Sequence, residues 1–157
     1  MRLGIISDTH DNLKKIDKAI KLFNRKKTDY VLHGGDFVAP FSVLRFKNLN
    51  CPWEGVFGNN DGEKTGLTKA SEGRIKEPPL RITLENIKIV LVHDLNILDL
   101  EKEEAQIVIF GHTHKRECFF KDNKLFINPG EAGGWLTYKA GVCILELPSL
   151  KPTYFRI

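Results

Sequence analysis

Cysteine is scarce: Cys51, Cys118 and Cys143 are the only three in 157 residues, they fall at irregular intervals, and no Cys-x-x-Cys occurs. That excludes a disulfide framework and a cysteine-ligated zinc cluster, and it fits reduced thiols in a cytoplasmic protein. Long apolar runs are also missing, since none approaches the roughly 18 residues that a membrane-spanning helix needs. The opening "MRLGIIS" reads as a strand and lacks the apolar core of a signal peptide, so a soluble, unprocessed, cytoplasmic chain is expected. There is no internal repeat and no low-complexity tract. Concentrated charge is absent too: the net charge of +4 comes from lysines dispersed through segments such as "KKIDKAIKLFNRKK", the pattern of a solvated helix face. A polymeric nucleic acid needs an extended basic track and is not an expected partner. At 157 residues, 41% hydrophobic and 28% charged, the chain suits one domain spanning 1–157.

What is present is alternation. "LGIIS" (3–7) reads as a strand; Leu13, Ile16, Ala19, Ile20 and Phe23 recur at helical spacing; "YVLH" (30–33) is a second strand. This is a βαβ opening, right-handed with a parallel sheet. Pro40 opens a second helix carrying Phe41 and Leu44, and "WEGVF" (53–57) follows as a third strand. Segment 62–79 has little periodicity and reads as a loop or a short irregular helix. "LRITL" and "IKIVLVH" (87–93), joined at Glu85 and Asn86, read as a hairpin, and a short helix is expected around Leu98 to Glu104 before the buried run "IVIF" (107–110). "ECFF", "KLFIN" and "GVCILEL" supply further strands, with a turn at 121–123. Two strand-rich halves with helices between them predict two sheets packed face to face with helices outside.

Ligands of α/β sheets gather beyond the carboxyl ends of strands. The residues just after the strand runs share one character: Asp8-Thr9-His10, Gly34-Gly35-Asp36, Gly58-Asn59-Asn60-Asp61, His93-Asp94 and Gly111-His112-Thr113-His114. Four of the five histidines stand there. In an extended segment residues i and i+2 share a side, so Asp8 with His10, and His112 with His114, can each present two donors to one cleft. Imidazoles, carboxylates and an amide oxygen suit divalent first-row metals. Asp8, His10, Asp36, Asn59, His93, His112 and His114 exceed what one tetrahedral ion needs, and they match two ions about 3.5–4 Å apart bridged by a carboxylate. Singly, each fragment has a structural use: Asp11-Asn12 can cap the first helix, Gly-Gly-Asp can turn the chain, and His93 can be a hydrogen-bonded core residue. Gly-His-Thr-His has few such uses, and coincidence at five strand ends is a poor account of the whole.

In this order Asp-x-His, Gly-Asp, Gly-Asn-x-Asp, His and Gly-His-x-His resemble the calcineurin-like metallophosphoesterase superfamily, and "SDTHDN", "GDFV", "GNND", "GHTH" and "NPGE" are similar to its small single-domain archaeal and bacterial phosphodiesterase branch. The resemblance implies an α/β, four-layer αββα sandwich of two mixed sheets. It implies one ion on Asp8, His10, Asp36 and His114 and another on Asp36, Asn59, His93 and His112, with manganese or nickel ahead of magnesium, zinc or iron(II). Asp36, Asn60 and His112 would carry catalysis, Asn60 would bind substrate, and Asn128, Gly130, Gly133 and Gly134 would shape the pocket. The implied activity is hydrolysis of a small or nucleotide-like phosphodiester by in-line attack of a hydroxide bridging the two ions. A phosphomonoesterase is the neighbouring alternative. A non-catalytic interaction scaffold is another, because a retromer subunit shares this fold with a degraded metal site; the complete ligand set here favours an enzyme. Self-association is left open.

Two departures from the family pattern matter. Many members have His after the metal-binding Asn, where this chain has Asn60; an amide donates a hydrogen bond but supplies no proton at neutral pH, which predicts a bias toward acidic leaving groups. "VHDLN" replaces a His-Gly-His, which leaves His93 but removes any further histidine from that rim. His33 reads as a buried structural residue. Lys115 and Arg116 read as exposed bases within reach of an anionic substrate, Trp135 and Tyr138 as pocket or packing residues, and Asp61 as the residue that orients its own loop.

Overall fold

A computed structural model describes residues 1–157. The first sheet contains β1 (Arg2–Ile6), β2 (Tyr30–His33), β3 (Trp53–Val56), β4 (Ile75–Lys76), β10 (Gly141–Glu146) and β11 (Lys151–Arg156), in the order β11-β10-β1-β2-β3-β4. The second contains β5 (Leu80–Leu84), β6 (Ile87–Leu91), β7 (Ile107–Ile109), β8 (Arg116–Lys121) and β9 (Lys124–Pro129), in the order β5-β6-β7-β9-β8. Strands β1 to β4 pair in parallel, as do β6, β7 and β9, while β5, β8, β10 and β11 pair antiparallel.

Side-chain alternation explains the layering. Leu3 and Ile5 of β1, Leu32 of β2, Ile89 and Leu91 of β6, and Ile107 and Ile109 of β7 belong to the core between the sheets. Their neighbours point outward: Ile6 and Val31 meet Ile16, Ala19, Ile20 and Phe23 of α1 (Leu13–Arg25), while Val90 and Val108 meet Phe110 and Phe126 on the far side of the second sheet. Asn12 caps α1, its side-chain oxygen accepting from the Lys15 N–H at 3.3 Å. Asp11 is spent elsewhere, accepting from the Ala39 N–H at 3.0 Å.

Two local readings change and one, at 62–79, is narrowed to its helical form. The Pro40 helix is a single turn, α2 (Pro40–Val43), continued by a 3₁₀ segment to Asn48. Segment 62–79 holds a short helix, α3 (Lys64–Ala70), capped by Glu63, and the two-residue β4. No helix forms at 98–104; a 3₁₀ turn at Leu95–Ile97 is followed by irregular chain that lays Leu98 and Leu100 on the second sheet's outer face. That outer layer is therefore thin.

Candidate metal centre

Asp8 and His10 follow β1, Asp36 follows β2, Asn59 follows β3, His93 follows β6, and His112 and His114 follow β7, so every donor predicted from sequence stands beyond the carboxyl end of a parallel strand. The loops after β1 and β2 run side by side, with the N–H groups of Asp8, His10 and Asp11 donating to the carbonyls of Gly35, Asp36 and Phe37 at 3.0, 3.1 and 3.2 Å. The backbone is not the extended one expected. Asp8, His10, Asp36, His112 and His114 have φ of 55°, 40°, 61°, 65° and 60°. Short polar residues and His enter this left-handed region more readily than others, but each still costs about 1–3 kcal/mol. Five such residues in one cluster mean the surrounding loops impose the geometry, and left-handed kinks rather than strand alternation bring each pair to one side.

Asp8, His10, Asp36 and His114 converge, each offering a ligand atom within 4.8 Å of the others. His114 Nε2 lies 3.4 Å from Asp8 Oδ1 and His10 Nε2 lies 3.5 Å from Asp36 Oδ2. The Asp8 side chain is fully buried, and neither its two oxygens nor His10 Nε2 nor His114 Nδ1 has a hydrogen-bond partner. Burial pushes the Asp8 carboxyl above its ordinary range. An unpartnered buried carboxylate facing two imidazoles is unfavourable by itself and becomes favourable when a cation shares it, so these residues fit a divalent ion.

A second set joins the first through Asp36. Asn59 Oδ1 lies 2.9 Å from His93 Nε2 and 3.0 Å from His112 Nδ1, and His93 Nε2 lies 3.4 Å from Asp36 Oδ2. His93 Nδ1 is 2.8 Å from the Gly34 carbonyl, which can only accept, so Nδ1 carries the proton. Nε2 of the neutral ring then points a lone pair at two oxygens, an arrangement that needs a cation or a further proton. Burial opposes that proton, but the Asp36 carboxylate outweighs it and raises the His93 pKa. Burial likewise works against ionised Asp36, yet hydrogen bonds from His93 and Asn60 hold its carboxyl well below the usual carboxylate range.

Around these donors sits a rigid frame. The buried Asp61 carboxylate accepts from the N–H groups of Asp36, Val38 and Gly58 at 3.0, 2.7 and 2.7 Å, the loop-orienting role expected of it. Gly58 is required by contact, because a methyl group there would run into the Asp36 carboxylate. Asn128 ties the late loop down, donating to the Gly111 carbonyl and Thr113 Oγ1 at 2.9 and 3.0 Å. Sequence reasoning missed Glu131. Its carboxylate accepts from the N–H groups of Trp135, Leu136 and Thr137 and from Thr137 Oγ1, and Oε1 lies 3.7 Å from His114 Nδ1. The "NPGE" fragment contained it, but no periodicity marks a residue that works by collecting loop N–H groups. His33 stands outside the cluster, its ring buried and stacked on Phe37 at 3.6 Å, with burial keeping it neutral. The Trp135 indole N–H donates to the His10 carbonyl at 2.9 Å, bracing that loop from the rim, while Tyr138 is 82% exposed and packs little.

No helix is long and apolar enough to cross a membrane. The chain is 38% identical over 154 residues, 93% of each chain, to a phosphodiesterase of Methanocaldococcus jannaschii. A solved archaeal phosphodiesterase superposes with a TM-score of 0.92 at 34% identity, covering 100% of both chains. A phosphoesterase from E. coli shares the fold at 20% identity with a TM-score of 0.76, again over 100% of both. The model of the calcineurin-like phosphoesterase superfamily domain matches residues 1–149, and with the αββα architecture this places the chain in the calcineurin-like phosphoesterase superfamily.

Proposed function

We propose that this protein is a dinuclear metal-dependent phosphodiesterase acting on a small or nucleotide-like phosphodiester, with the whole chain, 1–157, serving as one catalytic domain. The observation that carries the reading is the pair of donor sets sharing Asp36: four ligand atoms within 4.8 Å of one another on one side, and Asn59, His93 and His112 on the other. Asp8, His10, Asp36 and His114 would hold one ion and Asp36, Asn59, His93 and His112 the second, manganese or nickel being the preferred occupants of this mixed nitrogen and oxygen set. Two divalent ions supply Lewis-acid activation of water and neutralise phosphoryl oxygens.

The protein's own groups do the positioning. Asp36 is held ionised by hydrogen bonds and so remains able to serve both sets. Asn60 stands at the Asp36 carboxylate, with an amide that can donate to a phosphoryl oxygen but cannot protonate a leaving group. The Gly34 carbonyl fixes the His93 ring through Nδ1, and the Glu131 carboxylate stands 3.7 Å from Nδ1 of His114. The M. jannaschii relative, called a phosphodiesterase, supports the diester over the monoester.

The test is to strip the purified protein with a chelator, add back manganese, nickel, magnesium or zinc, and assay aryl phosphodiesters and monoesters. Metal-restored hydrolysis with diesters preferred is expected. Hydrolysis of neither class would leave an interaction scaffold, and a preference for monoesters would reassign the substrate.

A further inference from the structure

Beside the metal centre lies a groove of about 570 Å³, within the size range of small-molecule sites. His114 is among its lining residues, so the groove adjoins the donor cluster, and Lys115, Arg116, Lys139 and Arg156 line it as well. No carboxylate does. The lysines and arginines that are ion-paired in this molecule are Arg45, Lys47, Lys64, Arg74, Arg81, Lys88 and Lys102, none of them in the groove. Two acids stand close by without pairing to any of the four: Glu117 accepts from Thr113 Oγ1 at 3.0 Å, and Glu131 accepts from residues 135–137, the groove-lining Thr137 among them.

The four cations come from both sheets. Lys115 and Arg116 continue the segment that carries His114, Lys139 precedes β10, and Arg156 ends β11. Arg116 is oriented, its guanidinium lying 4.6 Å from the Tyr154 ring centroid, and Tyr154 is itself fixed by donating to the Glu117 carbonyl at 2.9 Å. A guanidinium stacked on a ring keeps its edge N–H groups free for a planar or tetrahedral anion. Like charges gathered without direct ion pairs repel, and an anion in their midst reverses the sign of that interaction.

We propose that this groove is a subsite for a second phosphoryl group of the substrate, which narrows the substrate class to small phosphodiesters that carry a further phosphate. The inference rests on the phosphodiesterase reading and deepens it. The scissile diester occupies the metal centre while the additional phosphate, reaching past His114, is held by Arg116, Lys139 and Arg156, with Lys115 at the entrance.

The experiment titrates adenosine 3′,5′-bisphosphate and adenosine 5′-monophosphate into the metal-loaded protein and its Lys139→Met/Arg156→Gln variant, by calorimetry at two salt concentrations. The wild type should bind the bisphosphate more tightly than the monophosphate. The double variant should lose roughly tenfold or more of the bisphosphate affinity, with a shallower salt dependence, and the monophosphate should lose less. Equal bisphosphate affinity in wild type and variant, or no preference for the bisphosphate in the wild type, overturns the proposal. Similar losses for both nucleotides overturn it too, as the mark of a damaged fold. Because the readout is binding, it is separable from the hydrolysis assay: bisphosphate selectivity without metal-restored turnover would refute the phosphodiesterase reading while leaving the anion site.

Discussion

The carboxamide of Asn60 donates to Asp36 Oδ2 at 2.8 Å while its backbone N–H donates to Oδ1 at 2.9 Å, so one residue grips both oxygens of the carboxylate that joins the two donor sets. Asn60→Ala removes the side-chain half of that grip. Hydrogen bonds to charged groups contribute about 1.5–3 kcal/mol, so turnover of aryl diesters should fall by roughly 10- to 100-fold. Asn60→His adds a group able to give up a proton, and general acid catalysis is typically worth about 10²–10⁴. The ratio of kcat/KM for alkyl over aryl diesters should rise in that variant, and an unchanged ratio would show that leaving-group protonation does not limit the reaction.

Asp36→Asn should abolish turnover chiefly by losing metal. Elemental analysis of the purified variant is the deciding measurement: full metal content together with wild-type activity would sink the assignment of Asp36 as the shared ligand.

Metal addition should also raise thermal stability, independently of any catalysis. The chelated protein retains a buried Asp8 carboxylate and two imidazole nitrogens without hydrogen-bond partners. A ligand present at 100 times its Kd stabilises the native state by about 2.7 kcal/mol, which for a chain of this size is a Tm rise of roughly 5–10 °C. Thermal scans with and without chelator measure it directly. A flat response in manganese, nickel and zinc alike would mean the cluster holds no ion.

Asp61 gives the clearest stability prediction. Asp61→Ala strips the acceptor from the N–H groups of Asp36, Val38 and Gly58. With roughly 1–3 kcal/mol for each donor left unsatisfied, a total loss of about 3 kcal/mol or more is expected, readable as a denaturant midpoint shift. Asp61→Asn, which keeps one acceptor oxygen, should lose less; equal losses would show that the charge rather than the acceptor count matters.

The three thiols should separate by accessibility. Cys118 is exposed, Cys51 half-buried and Cys143 buried, with burial pushing the Cys143 thiol up to about 12. An aromatic disulfide reagent should titrate Cys118 first and faster as pH rises, Cys51 more slowly, and Cys143 only in denaturant. Release of a third equivalent from the native protein would contradict the buried position of β10.

Much of this was legible because the chemistry sits at strand ends, where an abrupt change from Val, Ile and Leu to Asp, Asn, Gly and His marks the boundary on its own. The layering was legible from two strand-rich halves with helical patterns between them, and the structure sorts the near-continuous apolar runs of β1, β6 and β7 onto the two faces of each sheet. No helix forms at 98–104 because the chain closes into a turn at once, the N–H groups of Lys102 and Glu103 both donating to the Asp99 carbonyl at 3.1 and 3.0 Å, while Leu95, Leu98 and Leu100 pack on the outer sheet. Strand β11 escaped notice because Pro152 interrupts its pattern, and a proline-bearing strand belongs at a sheet edge, where β11 lies. The left-handed backbone at Asp8, His10, Asp36, His112 and His114 leaves no mark in the residue types, since the tertiary contacts of the loops impose it.

Asp8, His10, Asp36 and Asn59 hang from the first sheet, whereas His93, His112 and His114 hang from the second. Each donor set therefore spans the seam between the sheets, and an ion seated in either is a clasp across it. Metal affinity and sheet docking are then coupled and the coupling is reciprocal. A substitution deep in the inter-sheet core, such as Leu145→Ala, far from any donor, should loosen the grip on metal; a bound ion should in turn resist prying the halves apart. Metal seated there would serve as a fastener between the sheets as well as in the proposed chemistry.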